Sequence, residues 1–373
     1  MGFVSGTHAP VSTQVEFLSL EVQDFEPFRG RAVVSFARPP AGGRSALTVV
    51  SGGGGSGKSS VITALKLALW GSRHLDTTHY RRHFGLAQGL ATSWRRFINE
   101  TALRGASPRA GLRLTLHVDA GTGTALTMVI TRSVLVSRVD SVIETLRVET
   151  AKAGEDARLE KGDYQECISA LLPPDRLAHL FSDNEQSETL AGLASRQPRL
   201  RERAMREVAF LTGQRSLELF WEAAPDIIEY ANRLLACGGE DHELRLLPEC
   251  AGRSRSGANA VVPGVWVSRE PTCRTQLTCI GSALIVGLHL TSSIRAPLVL
   301  DAPTTGMLRD QGVVLLEALS DVVQGQVVMA AREEQLDDLA LSLWDRVQRI
   351  YLVERPKDAS TALLSEPASG GLT

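Results

Sequence analysis

The stretch SGGGGSGKSS, residues 51–60, decides the fold class of this chain and admits two interpretations. Four glycines with flanking serines are typical of a flexible linker between domains. The same letters also fit G-x-x-x-x-G-K-S, the loop that surrounds phosphate groups in P-loop proteins. The sequence on either side distinguishes between these interpretations.

Strand and helix patterns flank the glycines directly. The run LTVV (residues 47–50) precedes them and predicts a buried β-strand. After them, SSVITALKLALWG (residues 59–71) places Val61 and Leu65 on one helical face, and Gly71 at the expected helix end. Strand, glycine loop and helix are the context that a phosphate-binding loop requires. The sequence therefore predicts a P-loop rather than a linker.

The residues of this loop have expected roles in holding a nucleotide. Backbone amides turn toward the phosphates, and the helix N-terminus adds the positive end of its dipole. Lys58 is expected to reach the β- and γ-phosphates, and the Ser59 hydroxyl is expected to bind Mg²⁺. We predict that ATP and Mg²⁺ are held by Gly52, Gly55, Ser56, Gly57, Lys58, Ser59 and Ser60.

A magnesium site also needs a second ligand on a neighbouring strand, and the candidate is Asp301. The run APLVLDAP (residues 296–303) predicts a central strand that ends at this aspartate, where a carboxylate can hold a metal-bound water. The alternative is an ordinary aspartate in a turn. Asp301 lies 301 − 58 = 243 residues after Lys58, so we expect a large insertion between the two halves of one nucleotide site.

The intervening patterns divide the chain. Alternation from residue 112 predicts three or four antiparallel strands, and a helical pattern follows without the heptads of a long coiled coil. The segment CAGRSRSGANAVVPG (residues 250–264) resembles a loop, and TQLTCIGSALIVGLHLTSS (residues 275–293) predicts a long buried helix. We expect an N-terminal lobe (1–159), a helical insert (160–240), a C-terminal lobe (241–357) and a disordered tail (358–373).

Several motifs together resemble the ATPase heads of the SMC, RecF and RecN type, and most closely the DndD family linked to DNA phosphorothioation. They are FEPFRG (residues 25–30), Trp70-Gly71, FSDNEQ (181–186), Asp301-Ala302-Pro303 and RIYLVER (349–355). The resemblance implies an α/β P-loop NTPase fold with a central mixed sheet, an antiparallel β subdomain and a short helical insert in place of the usual coiled coil. It also implies that Arg29 contacts phosphate, and that two heads, identical or not, assemble around Mg-ATP to act on DNA.

Departures from the family pattern leave hydrolysis open. Ala302 stands where many relatives keep the glutamate that activates water, and SREPTCRTQ (residues 268–276) lacks the glycines of the signature segment. Loss of a general base costs roughly 10²–10⁴-fold in rate. Glu185 and Glu333, or the adjacent Glu334, are candidate replacements, although each can equally be a surface glutamate. The chain is therefore expected to be an ATPase or, alternatively, a scaffold that binds ATP without hydrolysing it.

Any contact with DNA has to come from local basic clusters, because the net charge is −2. One cluster with interleaved aromatics has the candidate DNA contacts Arg81, Arg82, Arg95 and Arg96. A second, on residues 196–206, also fits a solvated helix face. His79 and His83 are four residues apart but lack a clear third metal ligand.

The remaining composition indicates a cytoplasmic protein without membrane spans. Five scattered cysteines include no C-x-x-C pair, which favours free thiols in a reducing compartment. No apolar run reaches the ~18 residues of a membrane span, and the N-terminus lacks the order of a signal peptide.

Overall fold

A computed structural model of the chain has two β-sheets, a β-hairpin and helices packed between and beside them. The structure describes residues 13–39, 45–75, 95–105, 107–119, 125–136, 142–152, 155–158, 181–182, 190–194, 199–204, 214–237, 243–253, 259–267, 274–291, 294–303, 325–332, 347–355 and 361–365, with the single residues 168, 197, 313, 316, 317, 319 and 323.

The strands in chain order are β1 (Thr13–Phe25), β2 (Phe28–Ser35), β3 (Ala46–Gly52), β4 (Arg109–Asp119), β5 (Ala125–Val136), β6 (Val142–Lys152), β7 (Glu155–Arg158), β8 (Phe181–Ser182), β9 (Leu244–Arg253), β10 (Asn259–Val267), β11 (Ile294–Arg295), β12 (Leu298–Asp301), β13 (Gln326–Arg332), β14 (Val347–Glu354) and β15 (Leu363–Ser365). The α-helices are α1 (Lys58–Leu75), α2 (Glu100–Leu103), α3 (Gln214–Cys237) and α4 (Arg274–Thr291), and a 3₁₀ turn covers Gly192–Ala194.

The first sheet is antiparallel except at one edge. Its order is β11-β1-β4-β5-β6-β7, with β2 also paired to β1, and only β11 runs parallel to its neighbour. Alternate residues of β5, such as Met128 and Ile130, are buried, which is the two-residue period of a strand with one covered face. The antiparallel strands predicted from residue 112 onward are confirmed, and β4 begins slightly earlier, at Arg109.

The second sheet is parallel except at β15 and carries the glycine loop. Its order is β15-β14-β3-β13-β12-β8, so β3 lies between β14 and β13. Every residue of β3 is buried, as expected for a parallel strand covered on both faces. The strands predicted at residues 47–50 and 298–300 are both confirmed.

Two hydrophobic cores lie on opposite faces of the parallel sheet. The first contains Val50, α1 and the buried face of the antiparallel sheet. The second contains Leu47 and Val49 with residues of α3 and α4. Because successive side chains of a strand point to opposite faces, β3 contributes to both cores and the loop that follows it is held from two sides.

The two long helices of the second core meet at a glycine. A Cβ atom placed on Gly287 of α4 would lie 2.8 Å from Ile227 Cγ2 and 2.9 Å from the Ile227 carbonyl oxygen of α3. The absence of a side chain at Gly287 therefore allows the close crossing. Helix α4 confirms the buried helix predicted at residues 275–293, and α3 lies within the predicted helical region.

Buried polar side chains join the two sheets. Gln326 of β13 donates from Nε2 to the carbonyls of Phe17 (2.8 Å) and Ala37 (2.7 Å), and its Oε1 accepts the Phe17 N–H at 2.7 Å. The Tyr351 hydroxyl of β14 accepts the Ser35 N–H at 2.9 Å and donates to the Ser35 carbonyl at 3.1 Å. These bonds fix β1 and the end of β2 against the parallel sheet.

Helix α1 is tied to the antiparallel sheet at its kink. Gly71 has φ 64° and ψ −162°, so the regular helix is interrupted where the sequence predicts its end. Buried Arg132 of β5 donates to the carbonyls of Ala68 (2.9 Å) and Leu69 (3.3 Å), and pairs with Glu144 at 2.9 Å. Arg132 thus satisfies carbonyls that the kink leaves without helical partners.

The segment interpreted as a loop at residues 250–264 is instead part of a β-hairpin. Strands β9 and β10 pair antiparallel, and the register shifts between Val262 and Gly264. Pro263 sits at this irregularity, where its missing N–H removes no ladder hydrogen bond. The proline, glycine and arginine residues of this segment favour a loop, and for this reason the sequence pattern did not predict the two strands.

The predicted domain boundaries after residues 159, 240 and 357 fall outside the described residues and stay predictions. The prediction of a disordered tail over residues 358–373 is wrong for residues 363–365, which form β15 and pair with β14. In the part of the chain that the structure describes, no helix is long and apolar enough to cross a membrane.

Candidate nucleotide site

The glycine loop leaves the end of β3 through backbone that admits no side chains at two points. A Cβ on Gly52 would lie 2.2 Å from the Val353 carbonyl oxygen, and a Cβ on Gly57 would lie 2.4 Å from Pro27 Cγ. Gly57 also has φ 114°, which L-residues rarely adopt. Among the described residues, nothing lies within 4 Å of a Cβ on Gly53, Gly54 or Gly55, so these residues confine the loop at Gly52 and Gly57 and leave it open at the three glycines between them.

Lys58 lies under the loop with its side chain folded toward the backbone. Its Nζ donates to the carbonyl oxygens of Gly52 (2.7 Å) and Gly53 (2.6 Å), and the residue is buried. The ammonium group therefore already lies beside the backbone that would surround a phosphate. Ser59, the next residue of α1, is exposed, so its hydroxyl is accessible to a metal ion.

Two buried serine hydroxyls at the loop lack a protein partner among the described residues. Ser56 Oγ lies inside the loop, 2.7 Å from the Cβ position of Gly52, and Ser51 Oγ lies at the end of β3. Buried polar groups are rarely unpaired, and each one calls for an explanation such as an absent ligand. An open glycine loop with a lysine ammonium and free hydroxyl donors fits a phosphate group.

Asp301 ends β12 at the same edge of the sheet as the loop, but β12 is not the strand next to β3. Asp301 is level with Ala330 of β13, and Ala330 is level with Val50 of β3. The expectation of a neighbouring strand is therefore wrong by one strand. At about 4.8 Å between strands, the separation leaves room for a water between a carboxylate and a metal. The donor set of Ser59 and Asp301, both oxygen ligands, fits Mg²⁺.

Ala302 adopts an uncommon backbone conformation directly after Asp301. Its φ is 51°, and its N–H donates to the Ala330 carbonyl at 2.9 Å. Non-glycine residues in this region carry strain of order 1–3 kcal/mol and cluster at functional sites. A methyl group at this position can neither accept a proton nor orient a water.

The candidate replacement acids are only partly located. β8, which is the start of FSDNEQ, pairs in parallel with β12, with Ser182 level with Leu300. Glu185, Glu333 and Glu334 themselves lie outside the described residues, as do residues 268–273 of the signature segment.

The turn between β1 and β2 packs against the loop and brings a carboxyl group that the sequence did not single out. Glu26 precedes Pro27, whose ring contacts Gly57, and its carboxyl group is hydrogen-bonded to the Ser60 side chain. Burial raises the pKa of the Glu26 carboxyl, while the Ser60 hydrogen bond and the Arg96 charge oppose that rise. The one sequence feature that marks Glu26 is its position within the motif FEPFRG (residues 25–30). Arg29, the predicted phosphate contact, is exposed on β2.

The predicted DNA-binding residues are described in part. Arg95 is half-buried and Arg96 is exposed, directly before the buried residues Phe97 to Asn99. Arg81, Arg82, His79 and His83 lie outside the described residues. In the second cluster, Arg199 and Arg203 are exposed on a helical segment. No group of three potential metal ligands from histidine, cysteine and acidic side chains occurs among the described residues.

Comparison with known proteins supports the fold. Residues 19–190 match the family model described as an AAA domain. An SMC head crystallised with the C-terminal winged-helix domain of ScpA superposes with a TM-score of 0.57 at 13% identity, covering 94% of this chain and 97% of that one. A head with an extended coiled coil, bound to the C-terminal domain of ScpA derived from Pyrococcus furiosus, gives a TM-score of 0.51 at 12% identity, covering 94% and 96%. No curated protein matches the sequence.

The matched region includes the glycine loop, α1 and strands β4 to β7 of the antiparallel sheet. The structural match with a TM-score of 0.57 covers 94% of this chain and therefore extends well beyond residues 19–190. The expected α/β architecture is thereby confirmed. The chain has the fold of SMC head domains, and its residues 19–190 match the AAA-domain model.

Proposed function

We propose that the chain is an ATP-binding head that binds Mg-ATP at the glycine loop and assembles around it with a second head. The observation that carries this proposal is the loop itself, which places the Lys58 ammonium and unpaired Ser56 hydroxyl beneath an open glycine backbone. Ser59 and Asp301 would hold Mg²⁺, which supplies charge neutralisation between the phosphates. The second head is either another copy of the chain or a different subunit.

Hydrolysis of the bound ATP is the activity that we propose, at a slow rate for the isolated chain. Ala302 offers no group to orient water, so a carboxylate from elsewhere must do so. The pairing of β8 with β12 supports Glu185, because β8 runs parallel to the Asp301 strand and ends three residues before Glu185. Glu333, the first residue after β13, is the second candidate.

The proposal is tested by measuring the solution mass of the purified chain with and without Mg-ATP, while following phosphate release in the same sample. We expect nucleotide-dependent dimerisation and slow turnover, both lost in Lys58→Ala. Lys66→Ala is the matched control, because Lys66 is half-buried about two turns further along α1. Failure of the wild-type protein to bind Mg-ATP would contradict the proposal.

A second candidate function is a nucleotide-dependent scaffold, which the methyl group of Ala302 favours. A scaffold would bind Mg-ATP and change its assembly state without releasing phosphate. The same sample distinguishes the two functions. Binding and dimerisation without Lys58-dependent phosphate release, alone or with DNA and a partner, would select the scaffold.

We further propose that the assembled head acts on DNA, in modification, in defence against foreign DNA or in repair. Support comes from the DndD-like motifs FEPFRG and Asp301-Ala302-Pro303 and from the arginine cluster that includes Arg95. A net charge of −2 means that binding must depend on such a local patch.

The DNA proposal is tested by charge reversal at Arg81, Arg82 and Arg95, with affinity for a duplex oligonucleotide measured over a range of salt. Arg96 is left unchanged, because its charge acts on Glu26 beside the loop. We expect weaker binding and a salt slope reduced by about one for each lost phosphate contact. Reversal of the exposed arginines Arg109, Arg113 and Arg245 is the control with equal charge change. Equal losses from the two sets would contradict a specific patch.

A further inference from the structure

The turn from β1 to β2 has an unusual backbone that its neighbours hold in place. Asp24 and Glu26 both have φ 47°, a region that side chains other than glycine rarely occupy. The Glu26 N–H donates to the Phe97 carbonyl at 2.7 Å, and Asn99 Nδ2 donates to the Glu26 carbonyl at 2.9 Å. Strained residues persist only where the surroundings determine them, and they cluster at functional sites.

Further hydrogen bonds hold the same turn from both sides. The Asp24 carboxylate accepts the Gly30 N–H at 2.8 Å, and the Asp24 carbonyl accepts the Asn99 N–H at 2.8 Å. The Pro27 carbonyl accepts the Ala362 N–H at 2.6 Å. The turn is therefore a rigid support rather than a mobile connection between two strands.

This support contacts the glycine loop at two adjacent points. The Pro27 ring lies against Gly57, and the Glu26 carboxyl group is hydrogen-bonded to the side chain of Ser60, which is buried in the first turn of α1. The Ser60 N–H also donates to the Gly57 carbonyl at 3.0 Å. Glu26 thus acts on the short segment that contains Lys58 and Ser59.

We propose that Glu26 is a positioning residue of the nucleotide site, which fixes the first turn of α1 through the Ser60 hydroxyl and thereby aims the Ser59 hydroxyl at Mg²⁺. The inference rests on the proposed nucleotide site. Successive helical side chains point about 100° apart, so holding Ser60 on one side of α1 determines the direction of Ser59. Without the hydrogen bond, the first turn of α1 loses one of the contacts that set the direction of the Ser59 hydroxyl.

The positioning role predicts a selective effect on magnesium-dependent binding. Glu26→Ala should weaken Mg-ATP binding about tenfold, the magnitude expected for one hydrogen bond to an ionisable group. Binding of ATP in EDTA should weaken much less, because Ser59 has no metal to hold there. Glu26→Gln should recover most of the loss, since its amide oxygen still accepts the Ser60 hydroxyl.

The experiment is a double-variant cycle read by equilibrium titration with Mg-ATP and with ATP in EDTA. Glu26→Ala should weaken Mg-ATP binding in the wild-type chain but have no further effect in Ser60→Ala, where the hydrogen bond is already absent. Losses that multiply in the double variant would overturn the proposal. So would an equal loss with and without magnesium, which indicates a general structural defect.

A readout without nucleotide separates this inference from the proposed function. Hydrogen exchange of the amides at the start of α1 should increase in Glu26→Ala and Ser60→Ala, and should return toward wild type in Glu26→Gln. If wild-type protein does not bind Mg-ATP, the proposed function fails while the exchange result still tests the contact. Unchanged exchange in both alanine variants overturns the role of Glu26.

Discussion

At the scale of single residues, the glycine loop shows how absent side chains create a site. Gly57 combines a left-handed backbone with the Pro27 ring on the side where a Cβ would point. Gly54 has neither constraint, since nothing lies within 4 Å of its Cβ position. The two glycines therefore have different physical reasons to be present, although both belong to one motif.

This difference predicts unequal effects of alanine on the nucleotide-free protein. Gly57→Ala should lower the free energy of unfolding by about 2–4 kcal/mol, because strain at φ 114° adds to a clash with Pro27. Gly54→Ala should change it by less than about 0.5 kcal/mol. Chemical denaturation of both variants measures the difference, and equal effects would show that Pro27 can yield to the new methyl group.

The sequence predicted the site residues whose roles are encoded locally. Lys58 and Ser59 follow from the glycine spacing, and Asp301 follows from the apolar run before it. Glu26 could not be predicted, because its importance depends on contacts with Ser60 and Arg96, which are distant in the chain and near only after folding. Without knowledge of those contacts, a charged residue in a predicted turn is most simply interpreted as a surface residue.

At the scale of elements, strands with clear alternation or continuous apolar runs were predictable. β4 alternates strictly, β5 buries every second residue over most of its length, and β3 and β12 are short apolar runs before a loop. The hairpin β9–β10 was missed, because Pro263 and the surrounding glycines and arginines indicate a loop. The strand order β3-β13-β12 could not be predicted either, because no local sequence pattern indicates that β13 lies between β3 and β12.

Helix α4 carries a buried histidine whose protonation opposes folding. His289 is 8% exposed, and its Nδ1 has no partner among the described residues. Burial, with a contribution from the Arg295 charge, lowers the pKa of His289 from 6.5 to about 4. The unfolded chain therefore takes up this proton at a higher pH than the folded chain does.

Stability should accordingly fall as the pH decreases from 6.5 to 4. The unfolded state binds more protons in this window, and a difference of about 2.5 pKa units corresponds to about 3 kcal/mol lost by pH 4. His289→Leu should remove this part of the pH dependence, measured by urea denaturation at several pH values. His117→Leu is the control, because His117 is half-buried on β4. This variant should retain the loss of stability between pH 6.5 and pH 4. If the free energy of unfolding of His289→Leu depended on pH as strongly as that of the wild type, the effect could not be assigned to His289.

At the scale of the whole molecule, the fold consists of two sheets with two cores, and polar side chains connect them. Gln326 is 3% exposed and bonds to three backbone groups of the antiparallel sheet and the segment after β2. Tyr351 adds a second connection at Ser35. The glycine loop follows a strand of the parallel sheet, and the turn containing Glu26 joins two strands of the antiparallel sheet. The proposed site therefore requires the two sheets to keep their relative position.

Replacing Gln326 tests whether this connection makes the molecule cooperative. Gln326→Leu leaves the Phe17 N–H and the carbonyls of Phe17 and Ala37 buried without their partner, at about 1–3 kcal/mol for each group. We expect a loss of at least about 3 kcal/mol and separate unfolding transitions for the two sheets, where wild type unfolds in one. Gln14→Leu, at an exposed glutamine of β1, should change stability by less than about 0.5 kcal/mol. Denaturation followed by both circular dichroism and tryptophan fluorescence detects whether the two sheets unfold in separate transitions. If the two transitions of Gln326→Leu coincide as in the wild type, apolar packing alone holds the sheets together.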